Sequence, residues 1–570
     1  AFYDYTMLDR GGEAPSYGGA VNIPIGETFA VRASGIYQEI PGVLDSRNPA
    51  RNENDIDSGK SWAGRVMALW QPTERLTVNL MATKEQRHSD DLGIVTFADG
   101  TYTRDDAPSA SPSDNGYSLA SLDLRYAFDW ATLVSLTGYQ EKSSMNDIDS
   151  SNLVVPLARA GISFLRAGRD VHTHGVMQEL RLVSPDDGSR FNWLIGAFYS
   201  TYRADIRATL YIPSPDVLDY LTALLPLPVL EQLTANGLTL SDSRYDPLDA
   251  TEQALFGEAS YDVTDALRLT IGGRLYRTKV EGTLEASGLS GGNNGATPGS
   301  TEKGWSPKVA LTYKPWRDIM FYGTVSRGFQ FGGFNLPTVQ SANVPLSFKS
   351  STLWNYEIGL RTDWFDRTLR VDVTGFVLDW KNPQVKQVQG TNSFVDNVGA
   401  TRSLGAETTI RWLTPLKGLS IEQSASYIEA RTTEPFQDVS GTVVPEDTLM
   451  PSSPRVQSVT TLSFTQPIGH YLTQTTLINS FQSKSWADIT HYTEIDAYSL
   501  LSLNCNITRT DLSWAPALTL SVDNLTNVQK VVAGFGQGPG AKQALDTLIG
   551  NSSYVYTRPR SIVLRLSADF

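Results

Sequence analysis

The feature of this 570-residue chain that most restricts its fold is the way its connections alternate between two sizes. Stretches in which every second residue is apolar are joined by a few Pro-, Asp- or Gly-bearing residues, then by a long polar segment, then by a short turn again. The short connections fall at 71–75, 185–190, 262–266, 314–318, 365–367, 414–418 and 466–470, and their composition is that of tight turns. The long ones fall at 39–60, 84–116, 141–171, 203–249, 280–304, 328–352 and 432–454. Compact soluble domains rarely carry so many long structureless loops. Antiparallel strands with short turns at one rim and long loops at the other follow the plan of an outer-membrane β-barrel, with periplasmic turns and extracellular loops. Counting strands gives about 22 when residues 2–8 supply the first, an even number as single-chain bacterial barrels require. The expectation is an all-β fold, a single antiparallel transmembrane β-barrel domain over 1–570.

Individual strands carry the matching pattern. In the last ten residues, Ile562, Leu564, Leu566, Ala568 and Phe570 point one way and Ser561, Arg565, Ser567 and Asp569 the other, with Val563 the exception on the polar side. One apolar and one wet face is what a strand between lipid and lumen needs. Leu501, Leu503, Cys505 and Ile507 alternate with Ser502, Asn504, Asn506 and Thr508 in the same way, so the lone cysteine reads as a small apolar residue. No stretch approaches the ~18 to 20 consecutive apolar residues of a spanning helix, and mean hydropathy is −0.23. A helical membrane protein is excluded, whereas a barrel passes this filter because its alternation averages out. The 24 Tyr, 21 Phe and 12 Trp residues suit interfacial girdles.

Catalytic chemistry is sparse. A net charge of −14 argues against a nucleic-acid partner, and aspartate pairs such as Asp90 with Asp91 read as solvated loops. A single cysteine leaves neither a disulfide framework nor a thiolate metal cluster. His172 and His174 share one strand face, but no third ligand accompanies them, so no metal site is assigned. Residues 288–292 (GLSGG) match G-x-S-x-G without the strand-to-helix elbow that exposes a nucleophile. An outer-membrane hydrolase using His88 or His491 would resemble a smaller barrel of about 8 to 12 strands. No catalytic residue and no cofactor is assigned. Within the long 203–249 loop, residues 216–237 place Leu218, Leu221, Leu224, Leu225, Leu230 and Leu233 around Pro226 and Pro228, which predicts short helical pieces over the outer mouth.

An ordered series of motifs resembles one family. Residues 326–335 (SRGFQFGGFN) are similar to the S-x-G-[FY]-x-x-GGFN stretch of TonB-dependent receptor barrels, and 353–361 (LWNYEIGLR) to the family's W-x-Y-E-x-G-x-[KR] strand. Residues 179–188 (ELRLVSPDDG), 255–261 (LFGEASY) and 522–527 (VDNLTN) continue the resemblance over essentially the whole chain. Phe570 matches the C-terminal aromatic that barrel-assembly machinery recognises in this family.

The resemblance implies a receptor in the outer membrane of a Gram-negative bacterium, in contact with membrane lipid and lipopolysaccharide, importing a scarce, large nutrient. An iron–siderophore complex is the commonest ligand class. In the family an N-terminal plug fills the barrel and carries the segment that TonB pulls on; residues 3–20 already look like barrel strands, so the expectation is that this chain lacks the plug and meets the TonB complex only through one. An unplugged, porin-like passive channel is the alternative, and a surface interaction scaffold a further one. Gly328, Gly332 and Gly333 let the chain leave a strand at the outer rim, where Phe329, Phe331 and Phe334 offer stacking surface. Asn335, and Arg203 and Arg207 at the base of the leucine-rich loop, complete the candidate ligand contacts.

Overall fold

Twenty-two strands join into one antiparallel sheet that closes on itself. This computed structural model describes residues 1–95, 101–217, 231, 235, 237–336, 344–389, 392–437, 442–491, 493–535 and 553–569. Each barrel strand pairs with the next one along the chain, beginning with Phe2–Leu8, Glu13–Ile25 and Phe29–Ile40. At the other end of the chain Ala517–Asp523 pairs with Ser561–Ser567, which returns to Phe2–Leu8 and closes the cylinder. The seam is fastened by charge as well as backbone. Arg565 stands directly opposite Asp4, which is buried, and donates to both of its oxygens at 2.7 Å, a bidentate pair. The Ala1 amine donates to the Ala568 carbonyl at 2.7 Å. Because the strand number is even, both chain ends lie at the rim of short turns.

Alternation sorts side chains between two solvents. On the outside stand Ile195, Leu255, Leu275, Ile358 and Leu404, each more than half exposed, and each fits a lipid environment. Trp130, Trp316, Trp364 and Phe365 ring the short-turn end of this surface, and Tyr139, Tyr199, Trp305, Tyr356 and Tyr427 ring its upper edge. Polar residues within the band satisfy one another, as hydrocarbon requires: Thr137 donates to Gln178, which donates in turn to Ser135 at 3.0 Å. Cys505 lies opposite Thr475 and Leu520 on this outer face. The opposite parity lines the lumen with cross-strand ion pairs, such as Arg268 with Asp262 at 2.6 and 2.9 Å and Lys308 with Glu258 at 2.8 Å. No described helix is long and apolar enough to cross a membrane.

Strand lengths depart from the sequence reading. Thr239–Thr264 has 26 residues, Leu267–Gly288 has 22 and Phe191–Tyr211 has 21, whereas Phe2–Leu8 and Ser561–Ser567 have seven each. At roughly 3.3 Å per residue and a tilt near 45°, the longest strand rises about 60 Å, well beyond the ~25 Å apolar band. Much of what reads as loop in 84–116, 141–171, 203–249 and 280–304 is therefore sheet, since the flanking strands continue to Ser89, Asp149, Tyr211 and Gly288. The physical reason is simple. Above the lipid both faces meet water, so apolar alternation stops while the backbone ladder continues. Of the leucine-rich segment, Pro215–Val217 forms a 3₁₀ turn, while residues 218–230, 232–234 and 236 lie outside the described residues.

Candidate functional site

At the loop rim three loops lock together over one side of the mouth. Asp45–Asn48 pairs antiparallel with Arg51–Glu53 and parallel with Thr103–Arg104. Asn48, fully buried, donates to the carbonyls of Asp105 and Ala158, both at 2.7 Å, and so binds loops that are far apart in sequence. Arg51 pairs with buried Asp91, and Arg104 lies 3.8 Å from Asp91 and 3.6 Å from Asp106. The assembly spans the barrel seam: the Tyr102 hydroxyl donates to the Thr557 carbonyl at 2.7 Å, and Arg558 to the Pro41 carbonyl at 2.7 Å. Burial pushes the Asp55 carboxyl above its ordinary pKa, and the nearby Asp45 and Asp57 carboxylates push the same way.

Across the mouth, the segment 326–335 turns in onto the upper lumen wall. Strand Ile319–Gln330 stays paired with Ser351–Trp364 up to Gln330, but its pairing with Gly299–Trp316 ends at Lys308 and Ser326. The freed end carries Phe329 onto Tyr276, rings parallel within 10° and 3.5 Å apart, and Phe331 meets Phe329 edge-on at 5.4 Å. Phe331 keeps 39% of its surface exposed. Gly332 is required here, since a Cβ would sit 2.5 Å from the Phe348 carbonyl. Phe334 lies 6.1 Å from the ring of Tyr245, which is buried and donates its hydroxyl to the Asn335 carbonyl at 3.1 Å. The Asn335 side chain is occupied entirely by protein. Its Nδ2 donates to the carbonyls of Pro345 and Val395, and its Oδ1 accepts from the Val395 amide, all at 2.8 Å.

A family model described as TonB-dependent receptor-like, β-barrel, matches residues 83–527. The chain belongs to the TonB-dependent receptor β-barrel family. Solved structures with the same fold include the ferric yersiniabactin uptake receptor FyuA from Yersinia pestis, with a TM-score of 0.78 at 15% identity, covering 100% of this chain and 79% of that one. The siderophore receptor PiuA from Acinetobacter baumannii gives 0.72 at 12% identity, covering 100% and 81%. The copper transporter OprC gives 0.69 at 14% identity, covering 100% and 82%.

Within this receptor barrel the sequence-derived ligand contacts separate. Phe329 and Phe331 pack with Tyr276, and Phe334 lies separately against Tyr245. Asn335 lies apart from these rings; at 5% exposure it clamps its own loop to the hairpin Gln384–Gln389 and Asn392–Asn397. Arg203 and Arg207 are also corrected. They lie within strand Phe191–Tyr211, not at the base of a loop, and share the parity of lipid-facing Ile195 and Tyr199, so they face away from the lumen. Arg203 lies 3.2 Å from Asp249, and Arg207 donates to both oxygens of Asp242 at 2.9 and 2.7 Å. Phe570 lies outside the described residues. Ser290, in the G-x-S-x-G match, is buried with its hydroxyl donating to the Ser287 carbonyl at 2.9 Å, a loop-stabilising contact.

Sequence reading missed a recurring device of the lumen wall. Phe2, Tyr202, Phe256, Tyr276, Tyr322 and Phe376 stand directly opposite Gly18, Gly175, Gly196, Gly304, Gly359 and Gly405. In every case the ring lies where the glycine's Cβ would be, within 3 Å of it. Aromatic and glycine thus fill one cross-strand site. Three of these rings carry a guanidinium on their other face: Arg565 over Phe2 at 4.7 Å, Arg361 over Tyr322 at 5.3 Å and Arg274 over Phe256 at 5.9 Å. Finding the pairs needs the strand register, which spacing along one strand does not supply.

Proposed function

We propose that this chain forms the barrel of an outer-membrane, TonB-dependent importer of a scarce, large nutrient, and that the nutrient is an iron–siderophore complex. Membership of the receptor family supports the import reading. The ligand reading rests on the aromatic surface at the loop rim, where Phe331 stays partly open above the Phe329–Tyr276 stack and can cover a planar chelating group. Two of the similar proteins fit this choice, since FyuA is a ferric yersiniabactin uptake receptor and PiuA a siderophore receptor. The test is uptake of labelled ferric siderophores by cells expressing the full-length protein, with and without functional TonB. TonB-dependent accumulation of at least one ferric complex is the expected result. Accumulation that is indifferent to TonB, together with open conductance in planar bilayers, would replace the proposal with a passive channel.

A further inference from the structure

His172 and His174 stand on the outer face of Arg166–Val183, next along that face from Val176, which is exposed and apolar. Thr173 between them takes the lumen side, so both imidazoles rise from one side of a single strand, roughly 7 Å apart at the backbone. The chain offers this pair no third ligand close in sequence, but the sheet does. Glu141, on Thr132–Asp149, stands directly opposite His174 and reaches diagonally to His172, where its Oε1 lies 3.6 Å from Nε2.

On the other flank Asp205, within Phe191–Tyr211, stands directly opposite His172. A register shift between Ala204 and Ile206 leaves Asp205 without a cross-strand partner on Thr239–Thr264. The arginines on either side of it are engaged elsewhere, Arg203 with Asp249 and Arg207 with Asp242, and Asp205 forms no salt bridge among the described residues. Three adjacent strands thus bring two imidazoles and two carboxylates to one wet patch of the outer wall.

Imidazole with carboxylate, and no thiolate, is a ligand set for zinc and the metals beside it, whereas calcium and magnesium take oxygen alone. The two rings are splayed, with centroids 5.9 Å apart and planes at 46°, so the donors do not meet at one point as they stand. Side-chain rotation closes that gap. Cross-strand neighbours have Cβ atoms only about 5 Å apart, and the side chains of His172 and Glu141 are 45% and 41% exposed, so little packed against them has to move. We propose that His172, His174 and Glu141, with Asp205 as the fourth ligand, bind a divalent transition-metal ion of the zinc class on the outside of the barrel. The bound ion ties three strands together where they project above the lipid.

The test is equilibrium dialysis of untagged full-length protein in detergent against Zn²⁺, with Ca²⁺ as the oxygen-seeking competitor. Wild type should hold Zn²⁺ in the presence of excess Ca²⁺. His172→Gln/His174→Gln should weaken binding by more than the roughly 100-fold that loss of an outer-shell partner can cost a metal site, and Glu141→Gln by about tenfold or more. His88→Gln removes an imidazole set between Asp90 and Asp114 elsewhere on the wall and should bind as wild type does. Zn²⁺ should also slow amide exchange in peptides covering 141–147 and 168–174 of wild type, and leave them unchanged in the double variant. Heat-modifiable gel mobility reports whether each variant is a folded barrel. Unchanged Zn²⁺ affinity in the folded double variant or in folded Glu141→Gln, an equal loss in His88→Gln, or displacement of Zn²⁺ by Ca²⁺ overturns the site.

Discussion

Replacing Asn335 by alanine tests whether this residue is a clamp or a ligand contact. The substitution keeps the backbone bonds to Leu346 and from Tyr245 but deletes three side-chain bonds, to Pro345 and Val395 carbonyls and from the Val395 amide. Each such bond contributes about 1 kcal/mol net, so the clamp loses about 3 kcal/mol, somewhat more where a buried partner stays dry. At 1.4 kcal/mol per factor of ten, local opening of the hairpin becomes roughly a hundredfold more frequent. Hydrogen exchange read by mass spectrometry on peptides covering 394–398 measures this directly, with the barrel strand Ser351–Trp364 as an internal reference. Accelerated exchange at Val395 with the reference unchanged is the expected outcome. A change below about threefold would refute the reasoning, because it would mean that water or a shifted loop replaces all three bonds at little cost.

Asp55→Asn keeps a residue type that tolerates the positive φ of 55° at this position while removing a charge that burial and two aspartates disfavour. A raised carboxyl pKa stabilises the folded loop fully below the unfolded value near 4 and loses that contribution as pH rises through the folded value. Amides in 42–57 should therefore be better protected in the variant than in wild type at neutral pH, with the difference disappearing near pH 3.5; a pH-independent difference would contradict the charge argument. Gly359→Ala should lower barrel stability by about 1 to 3 kcal/mol in a heat-modifiability assay, since the new Cβ lands on the Tyr322 ring. Gly64→Ala, with nothing within 4 Å, is the matched control and should change little. Phe331→Ala should weaken uptake affinity for a ferric siderophore roughly fivefold, the worth of one aromatic contact of about 1 kcal/mol, without altering the barrel's melting.

The lipid-facing strands were legible because a solvent boundary is written into them. Leu501, Leu503, Cys505 and Ile507 alternate only because one side meets lipid, and the closing strand Ser561–Ser567 shows the same signature. Where that boundary ends, legibility ends too. Thr239–Thr264 carries SDSRYD at 241–246, a string that reads as loop yet pairs through Asp242, Ser243 and Arg244. The facing of Arg203 was accessible in principle, because it stands eight residues beyond Ile195 and an unbroken strand preserves parity. The role of Asn335 was not, since its partner Val395 is sixty residues away and no local pattern links them. The phenylalanines at 329, 331 and 334 were readable from the motif, whereas Tyr276, which receives Phe329, and Tyr245, which receives Phe334, come from a strand pair fixed only by register.

The glycine-seated rings have a consequence for whatever enters the barrel. An arginine lying on a ring that itself lies on bare backbone has little freedom left to lose, because its stem and its plane are already held. Ordering a free arginine side chain at an interface costs up to about 2 kcal/mol in rotamer entropy. Arg361 has met most of that cost before any acidic surface reaches it, while Arg274 and Arg565 are already engaged by Glu252 and Asp4. A body filling this lumen would thus be gripped at Arg361 by a charge that does not need to settle, and would be released without leaving a rearranged wall behind.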